Sequence, residues 1–223
     1  MKPETIVVVA GGHPLGGTAL GDAVPSLPAG AMVIAADGGV DRALALGLHV
    51  DLAIGDFDSV SSAGLAAAEA EGARVARHPT TKDATDLELA LDAAVALGPA
   101  GILVVGSGGG RLDHLLGSVL LLADERYAAA DVDAYLGDAC VSVVRGYRAI
   151  AGTPGDLLTL IPMHGPAEGV TTEGLEYPLR GETLPPGTSR GVSNVFTAPR
   201  AGITVERGCL LAVRPAPEAK GSS

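Results

Sequence analysis

Two aspartates separated by one residue form the first group in this sequence whose spacing suits chemistry. Asp56 and Asp58 follow a short apolar run, Leu52–Gly55, that has the composition of a buried strand. Side chains two residues apart lie on the same side of an extended backbone, so the two carboxylates would converge. Such a pair is costly unless a cation lies between the charges, and oxygen ligands without a Cys/His cluster favour Mg²⁺ over Zn²⁺. The pair predicts a site for a hard divalent ion.

A second polar segment follows the next expected strand. Asp86 or Asp83 from this segment would complete a set of oxygen ligands, and Lys82 is one of only three lysines in the chain. An ordinary structural role is the alternative, because Thr85 with Glu88 three positions later has the pattern of a helix capping box. Aspartate is likewise common on loop surfaces and at helix N-termini.

A glycine-rich segment with a following arginine is the third candidate. Residues 106–110 lie between an apolar strand and a helix, where backbone N–H groups and a helix N-terminus can bind phosphate. The segment lacks the Lys-Ser/Thr ending of a P-loop and the GxGxxG fingerprint, so alone it is a weak signal. Arg111 and Lys82 add two cations that would bind phosphoryl oxygens, although Arg111 also fits a helix surface.

These segments require a sheet to bring them together. Residues 1–136 alternate apolar strand runs with helical stretches, which predicts an α/β domain with a parallel sheet whose strand ends share one edge. Short β-like runs without helices predict an antiparallel sandwich or barrel over 137–215, and residues 216–223 read as a disordered tail. The expected strands are Thr5–Ala10, Met32–Ala36, Leu52–Gly55, Ala73–Arg77, Ile102–Val105, Val132–Leu136, Cys140–Arg145, Leu157–Pro162, Gly169–Thr172, Ile203–Arg207 and Leu210–Val213, and the expected helices are Val40–Leu46, Ser62–Glu71, Asp86–Leu97 and Leu112–Ala123.

Charge and cysteine content exclude several classes of function. The chain has 15 Lys+Arg against 26 Asp+Glu, a net charge of −11. Residues 1–136 hold 7 basic and 18 acidic side chains, whereas residues 137–223 hold 8 of each. With no basic run, binding to nucleic acid or to anionic membranes is not expected, and no apolar run reaches the roughly 18 residues of a membrane span. The two cysteines form no metal motif, which favours a reducing, cytoplasmic location.

Five motifs, in their order and spacing, resemble those of the thiamine pyrophosphokinase family. They are Asp37-Gly38-Gly39, Gly55-Asp56-Phe57-Asp58-Ser59, Lys82-Asp83-Ala84-Thr85-Asp86, the run from Gly106 to His114, and Gly191-Val192-Ser193-Asn194. The segment Gly174–Leu179 is also similar to bacterial members. The resemblance implies a Rossmann-like α/β domain followed by a β-sandwich, in a homodimer with active sites at the subunit interface. The implied reaction transfers a pyrophosphoryl group from Mg²⁺-ATP to the thiamine hydroxyl, giving thiamine diphosphate and AMP.

The resemblance also implies roles for individual residues. The implied metal ligands are Asp56, Asp58 and Asp86. The implied nucleotide-binding residues are Asp37, Gly38, Gly39, Lys82, Gly106, Gly108, Gly109, Gly110 and Arg111. The implied thiamine contacts are Thr85, Asp113, Ser193 and Asn194. The implied catalytic set is Asp56, Asp58, Lys82, Asp86, Arg111 and Asp113.

One segment departs from the family pattern, and two other functions stay open. Some members place a Trp near the C-terminus against the thiamine rings, whereas this chain has no Trp and reads Gly208-Cys209-Leu210-Leu211 there. Leucine offers apolar contact without stacking. The alternatives are a pyrophosphokinase acting on a pterin-like alcohol and a nucleotide-binding module without turnover. From their residue types alone, Ser193 and Asn194 fit either a ring contact or a turn between strands.

Overall fold

The computed structural model describes residues 4–12, 27–28, 30–106 and 111–215, and the predicted tail at 216–223 lies outside them. The chain divides into two compact units. The first comprises Met1–Leu121 and Arg126–Asp138, and the second comprises Leu122–Glu125 and Ala139–Ser223. Among the described helices, none combines the length and the apolar composition needed to cross a membrane.

The first unit is built on a parallel sheet, as the alternating pattern predicts. Its strands follow the order β6-β5-β1-β2-β3-β4, and the pairings between neighbours are parallel. Ile6–Val9 of the central strand are 0% exposed, because both faces of the sheet are covered. The strands are β1 Thr5–Ala10, β2 Met32–Ala36, β3 Leu52–Gly55, β4 Arg74–Arg77, β5 Gly101–Gly106 and β6 Asp131–Leu136.

Within the described residues, four helices and one 3₁₀ turn connect these strands. Two of the helices begin at side-chain caps: the Ser61 hydroxyl accepts a hydrogen bond from the Gly64 N–H at 3.0 Å, and the Thr85 hydroxyl accepts one from the Glu88 N–H at 3.2 Å. The capping interpretation of Thr85 is therefore confirmed. The helices are α1 Gly39–Ala45, α2 Ser62–Ala70, α3 Asp86–Ala96 and α4 Leu112–Leu122, and the 3₁₀ turn is Glu125–Tyr127.

The second unit is β-rich and antiparallel. Within it β8 lies between β10 and β11, β7 pairs with β11, and β9 also pairs with β8. Three of its strands are 13 to 17 residues long. The 17-residue and 15-residue strands each join two runs that were predicted as separate strands, and the 13-residue strand extends the single predicted run Cys140–Arg145. Bulges divide the runs of β11, where Gly208 has a φ of 92° and the pairing register shifts. The strands are β7 Ala139–Ala151, β8 Leu157–Glu173, β9 Arg180–Leu184, β10 Asn194–Val195 and β11 Arg200–Arg214.

Candidate active site

Three aspartates meet at the carboxyl ends of β2 and β3. Asp37 directly follows β2, and its backbone N–H donates to the Ile54 carbonyl at 2.9 Å. One carboxylate oxygen each from Asp37, Asp56 and Asp58 lies within 4.8 Å of the other two. This is the geometry in which hard divalent ions are held by carboxylates. We call these three residues the aspartate group.

The turn after β3 brings Asp56 and Asp58 together through a backbone conformation that their spacing did not predict. The expectation of extended backbone is wrong, because Phe57 adopts a φ of 63° and Gly55 a φ of 147°. A Cβ atom on Gly55 would lie 2.9 Å from Asp86 Oδ1 and 3.2 Å from Asp37 Cβ, so only glycine fits there without displacing them. Phe57 packs against the core of the first unit, which anchors the turn.

Lys82 contributes the cation of the site. Its Nζ lies 3.1 Å from Asp56 Oδ2 and 2.8 Å from Asp86 Oδ1, and all three side chains are less than one quarter exposed. The hydrogen bond from Lys82 lowers the pKa of Asp56, against the opposing effect of burial. Burial lowers the pKa of Lys82, but its contacts with Asp86 and Asp56 outweigh that effect, so the pKa is raised. Lys82 therefore stays charged and links the turn after β3 to the start of α3.

Asp86 lies beside the aspartate group rather than within it. Its Oδ1 is enclosed and lies 2.8 Å from the Lys82 Nζ, and within the described part of the chain it has no other polar neighbour aligned for a hydrogen bond. The structure thus places Asp37 with Asp56 and Asp58, whereas the resemblance implied Asp86 as the third ligand. The resemblance implied a nucleotide-binding role for Asp37, and the φ of 46° that brings it towards Asp56 has no sequence signal.

Arg111 and Asp113 pair with each other at the start of α4. Arg111 Nε lies 3.2 Å from Asp113 Oδ1 and its Nη2 lies 2.5 Å from Oδ2. Hydrogen bonding from Arg111 is the main cause that lowers the pKa of Asp113 to about 2. Both side chains are more than 60% exposed, so they remain open to a ligand. Gly106 ends β5, whereas the predicted Gly108, Gly109 and Gly110 lie outside the described residues.

The glycines after β2 have a packing role at the same edge. A Cβ atom on Gly39 would lie 2.0 Å from the Val9 carbonyl oxygen, and one on Gly38 would lie 3.2 Å from the Ser59 carbonyl oxygen. Their small size lets the first turn of α1 approach β1 and the turn after β3. Their predicted contact with nucleotide stays a prediction.

The sequence motifs gave no role to three polar side chains near this edge. Ser59 donates from its hydroxyl to Asp58 Oδ1 at 2.8 Å and from its N–H to Asp37 Oδ1 at 3.4 Å. The Arg77 guanidinium lies 5.1 Å from the centre of the Phe57 ring. Arg42 donates to the Ala10 carbonyl at 3.2 Å. Of these three residues, only Ser59 could have been found from the sequence, because it belongs to the motif that contains Asp56 and Asp58.

In the second unit the two residues of the predicted Ser-Asn pair differ in exposure: Asn194 is buried, whereas Ser193 is exposed. Asn194 is only 4% exposed, and its amide is bonded to backbone: Oδ1 accepts from the N–H groups of Tyr177 and Val195, at 3.0 and 2.9 Å, and Nδ2 donates to the Tyr177 carbonyl at 2.7 Å. Ser193 is exposed, with a φ of 54°, and its N–H donates to the Thr159 hydroxyl at 3.0 Å. Ser193 therefore leaves its hydroxyl accessible, whereas Asn194 holds Tyr177.

Comparison with known proteins identifies the family. Residues 27–134 match the model of the thiamin pyrophosphokinase catalytic domain, and residues 149–210 match that of the thiamin pyrophosphokinase vitamin B1 binding domain. The chain belongs to the thiamine pyrophosphokinase family. The enzyme class follows with it, a transferase of the thiamine diphosphokinase type, and the family expected from the motifs is confirmed.

Individual thiamine pyrophosphokinases agree with this assignment. Thiamine pyrophosphokinase of Bacillus subtilis is 27% identical over 191 residues, which cover 81% of this chain and 86% of that protein. Its crystal structure superposes with a TM-score of 0.81 over 96% of this chain and 99% of that chain, at 26% identity. The thiamin pyrophosphokinase of Candida albicans, at 14% identity, has a TM-score of 0.71 over 95% of this chain and 90% of that one and shares the fold.

Proposed function

We propose that this chain transfers the pyrophosphoryl group of Mg²⁺-ATP to the hydroxyl of thiamine, giving thiamine diphosphate and AMP. The observation that carries the proposal is the aspartate group with Lys82 beside it, at one edge of a parallel sheet within the catalytic-domain segment. Catalysis of pyrophosphoryl transfer depends mainly on positioning the reactants and on neutralising the charge of the phosphoryl oxygens. This edge of the sheet offers carboxylates that can hold a metal ion, and a cation.

The aspartate group fits a hard divalent ion. Three carboxylates within 4.8 Å of one another carry more negative charge than the single Lys82 ammonium offsets, and they offer oxygen atoms only. We propose that Asp37, Asp56 and Asp58 hold Mg²⁺, with Asp86 as a further ligand that also keeps Lys82 in place. The bound ion would neutralise charge on the phosphoryl oxygens of ATP.

The remaining side chains would position the nucleotide and thiamine. Lys82 is proposed to bind phosphoryl oxygens from the side of α3, and Arg111 from the start of α4, where its guanidinium is mostly exposed. Asp113 would orient Arg111 through their paired hydrogen bonds. The Ser193 hydroxyl would contact thiamine from the second unit.

Several finer features of the architecture are also part of the proposal. We propose that the first unit is Rossmann-like and that the second is a sandwich. Support for a sandwich comes from β8 and β11, because residues from both halves of each strand pack in one cluster, as expected of a sheet folded over itself. They are Leu158, Leu160, Ala167 and Val170 of β8, and Ile203, Val205, Leu210 and Ala212 of β11.

A homodimer with active sites at the subunit interface is proposed as the assembly. Leu112, Leu116 and Leu120 of α4 recur at intervals of four residues and are 67%, 54% and 50% exposed. Side chains at this spacing share one helix face. A second copy of the chain that covered them would remove apolar surface from water. We also propose a cytoplasmic location, since Cys140 and Cys209 form no disulfide.

The proposed reaction is tested by its products. The protein is incubated with ATP and thiamine, with Mg²⁺ or with EDTA, and the products are separated by chromatography. We expect thiamine diphosphate and AMP in equal amounts, and only with Mg²⁺. ADP as the nucleotide product, or turnover with another alcohol but none with thiamine, would overturn the proposal.

A further inference from the structure

Tyr177 is an exposed aromatic residue on a tightly held backbone segment. It lies between β8 and β9, in the segment Gly174–Leu179, and its side chain is 53% exposed. The segment is fixed on both sides of the tyrosine. The Glu176 N–H donates to the Val195 carbonyl at 2.9 Å, and the Leu179 N–H donates to the Thr172 hydroxyl at 2.9 Å. The ring therefore projects from a backbone whose conformation is already restricted before any ligand binds.

The only asparagine of the chain, Asn194, fixes the backbone of Tyr177. Asn194 is buried and bonds to both the N–H and the carbonyl of Tyr177. These bonds fix the backbone between Leu175 and Leu179, which are buried in the core of the second unit, whereas the Tyr177 side chain lies outside that core. Fixing the backbone also preorganises the ring, and a preorganised aromatic side chain loses less conformational entropy when a ligand binds.

Few other aromatic rings are available in this part of the chain. Within residues 149–210, which match the vitamin B1 binding domain, the aromatic residues are Tyr177 and Phe196. Phe196 is 1% exposed. The stretch Cys209–Leu211, which stands where some family members carry a Trp, is at most 6% exposed. The leucines of this stretch are therefore buried and do not offer an apolar surface to a ligand.

We propose that Tyr177 supplies the aromatic face that binds the rings of thiamine, and that Asn194 is the positioning residue that holds it. This inference rests on the proposed function. Thiamine joins an aromatic pyrimidine to a thiazolium ring with a fixed positive charge. The face of a tyrosine ring attracts such a cation and stacks on flat heterocycles.

The test measures binding of thiamine directly, by equilibrium dialysis, for wild type, Tyr177→Ala and Tyr177→Phe. Removing the ring should weaken thiamine binding about 5- to 30-fold, from the usual contributions of cation–π and stacking contacts. Tyr177→Phe keeps the face and should bind within about twofold of wild type. Tyr147→Ala is the matched control, because Tyr147 is 67% exposed on β7 and lies outside the matched segment. ATP binding should be unchanged in all three variants.

The positioning role of Asn194 is tested by a double-mutant cycle. Asn194→Ala should weaken thiamine binding in the wild-type background and have little further effect once Tyr177 is alanine, because it acts through that ring. Equal losses in both backgrounds would refute the positioning role. Wild-type binding of thiamine together with unchanged binding by Tyr177→Ala would refute the inference and leave the proposed function standing. Failure of wild type to bind thiamine would refute the proposed function itself.

Discussion

Replacing Asp37 with asparagine tests the composition of the metal site. The oxygens of the aspartate group lie within 4.8 Å of one another, so an ion shared by all three is closer than that to each. Unit charges 4 Å apart interact by about 1 kcal/mol even in water, so a doubly charged ion would lose about 2 kcal/mol when one carboxylate becomes neutral. Since about 1.4 kcal/mol corresponds to a factor of ten, we expect Asp37→Asn to weaken divalent-ion binding about 30-fold.

The assay is titration of the protein with Mn²⁺, with free Mn²⁺ followed by electron paramagnetic resonance in the absence of nucleotide. Asparagine tolerates the φ of 46° at this position as well as aspartate does, so the backbone should be unchanged. Asp138→Asn is the control, because it removes an exposed carboxylate after β6 that lies outside the aspartate group. Asp86→Asn should weaken Mn²⁺ binding less than Asp37→Asn. An Asp37→Asn affinity within twofold of wild type would refute Asp37 as a metal ligand, and a loss of tenfold or more in Asp86→Asn would then place Asp86 in the site instead.

Three further predictions concern the turn, the exposed ion pair and the assembly. Gly55→Ala should lower the free energy of unfolding by about 1–3 kcal/mol, because of its φ of 147° and the 2.9 Å approach to Asp86 Oδ1; unchanged denaturant unfolding would contradict this. Asp113, with its pKa lowered to about 2, stays ionised above pH 4, and its contribution to stability is lost only as the pH falls towards that value. Asp113→Asn should therefore leave the shape of the activity profile between pH 5 and 9 unaltered, and a limb that disappears in the variant would contradict the pairing with Arg111. Leu116→Glu should convert a dimer into a monomer in analytical ultracentrifugation, whereas an unchanged sedimentation coefficient would remove α4 from the interface.

The sequence predicted the parts of the first unit that depend on periodicity. The buried strands Thr5–Ala10 and Leu52–Gly55 have their predicted bounds, because continuous apolar runs are what a sheet covered on both faces requires. The capping role of Thr85 was also readable, since its partner Glu88 is only three residues away. Local rules of this kind need no knowledge of distant contacts.

Features that depend on distant parts of the chain could not be predicted in the same way. The left-handed backbone of Phe57 is held by packing against the core, and nothing in the motif indicates it. The buried state of Asn194 depends on Tyr177, 17 positions away, so its amide looked equally suited to a ligand. The long strand β11 looked like two strands because the bulge at Gly208 interrupts its apolar pattern.

The fate of the phosphorus atoms of ATP shows most directly whether the chain transfers a pyrophosphoryl group to thiamine. Two samples of ATP, one labelled at the α-phosphorus and one at the β-phosphorus, are each incubated with Mg²⁺, thiamine and the protein. If the chain transfers a pyrophosphoryl group, the β-label appears in thiamine diphosphate and the α-label remains in AMP. A β-label that remains in ADP, with thiamine monophosphate as the other product, would show transfer of a single phosphoryl group instead and refute the proposed reaction.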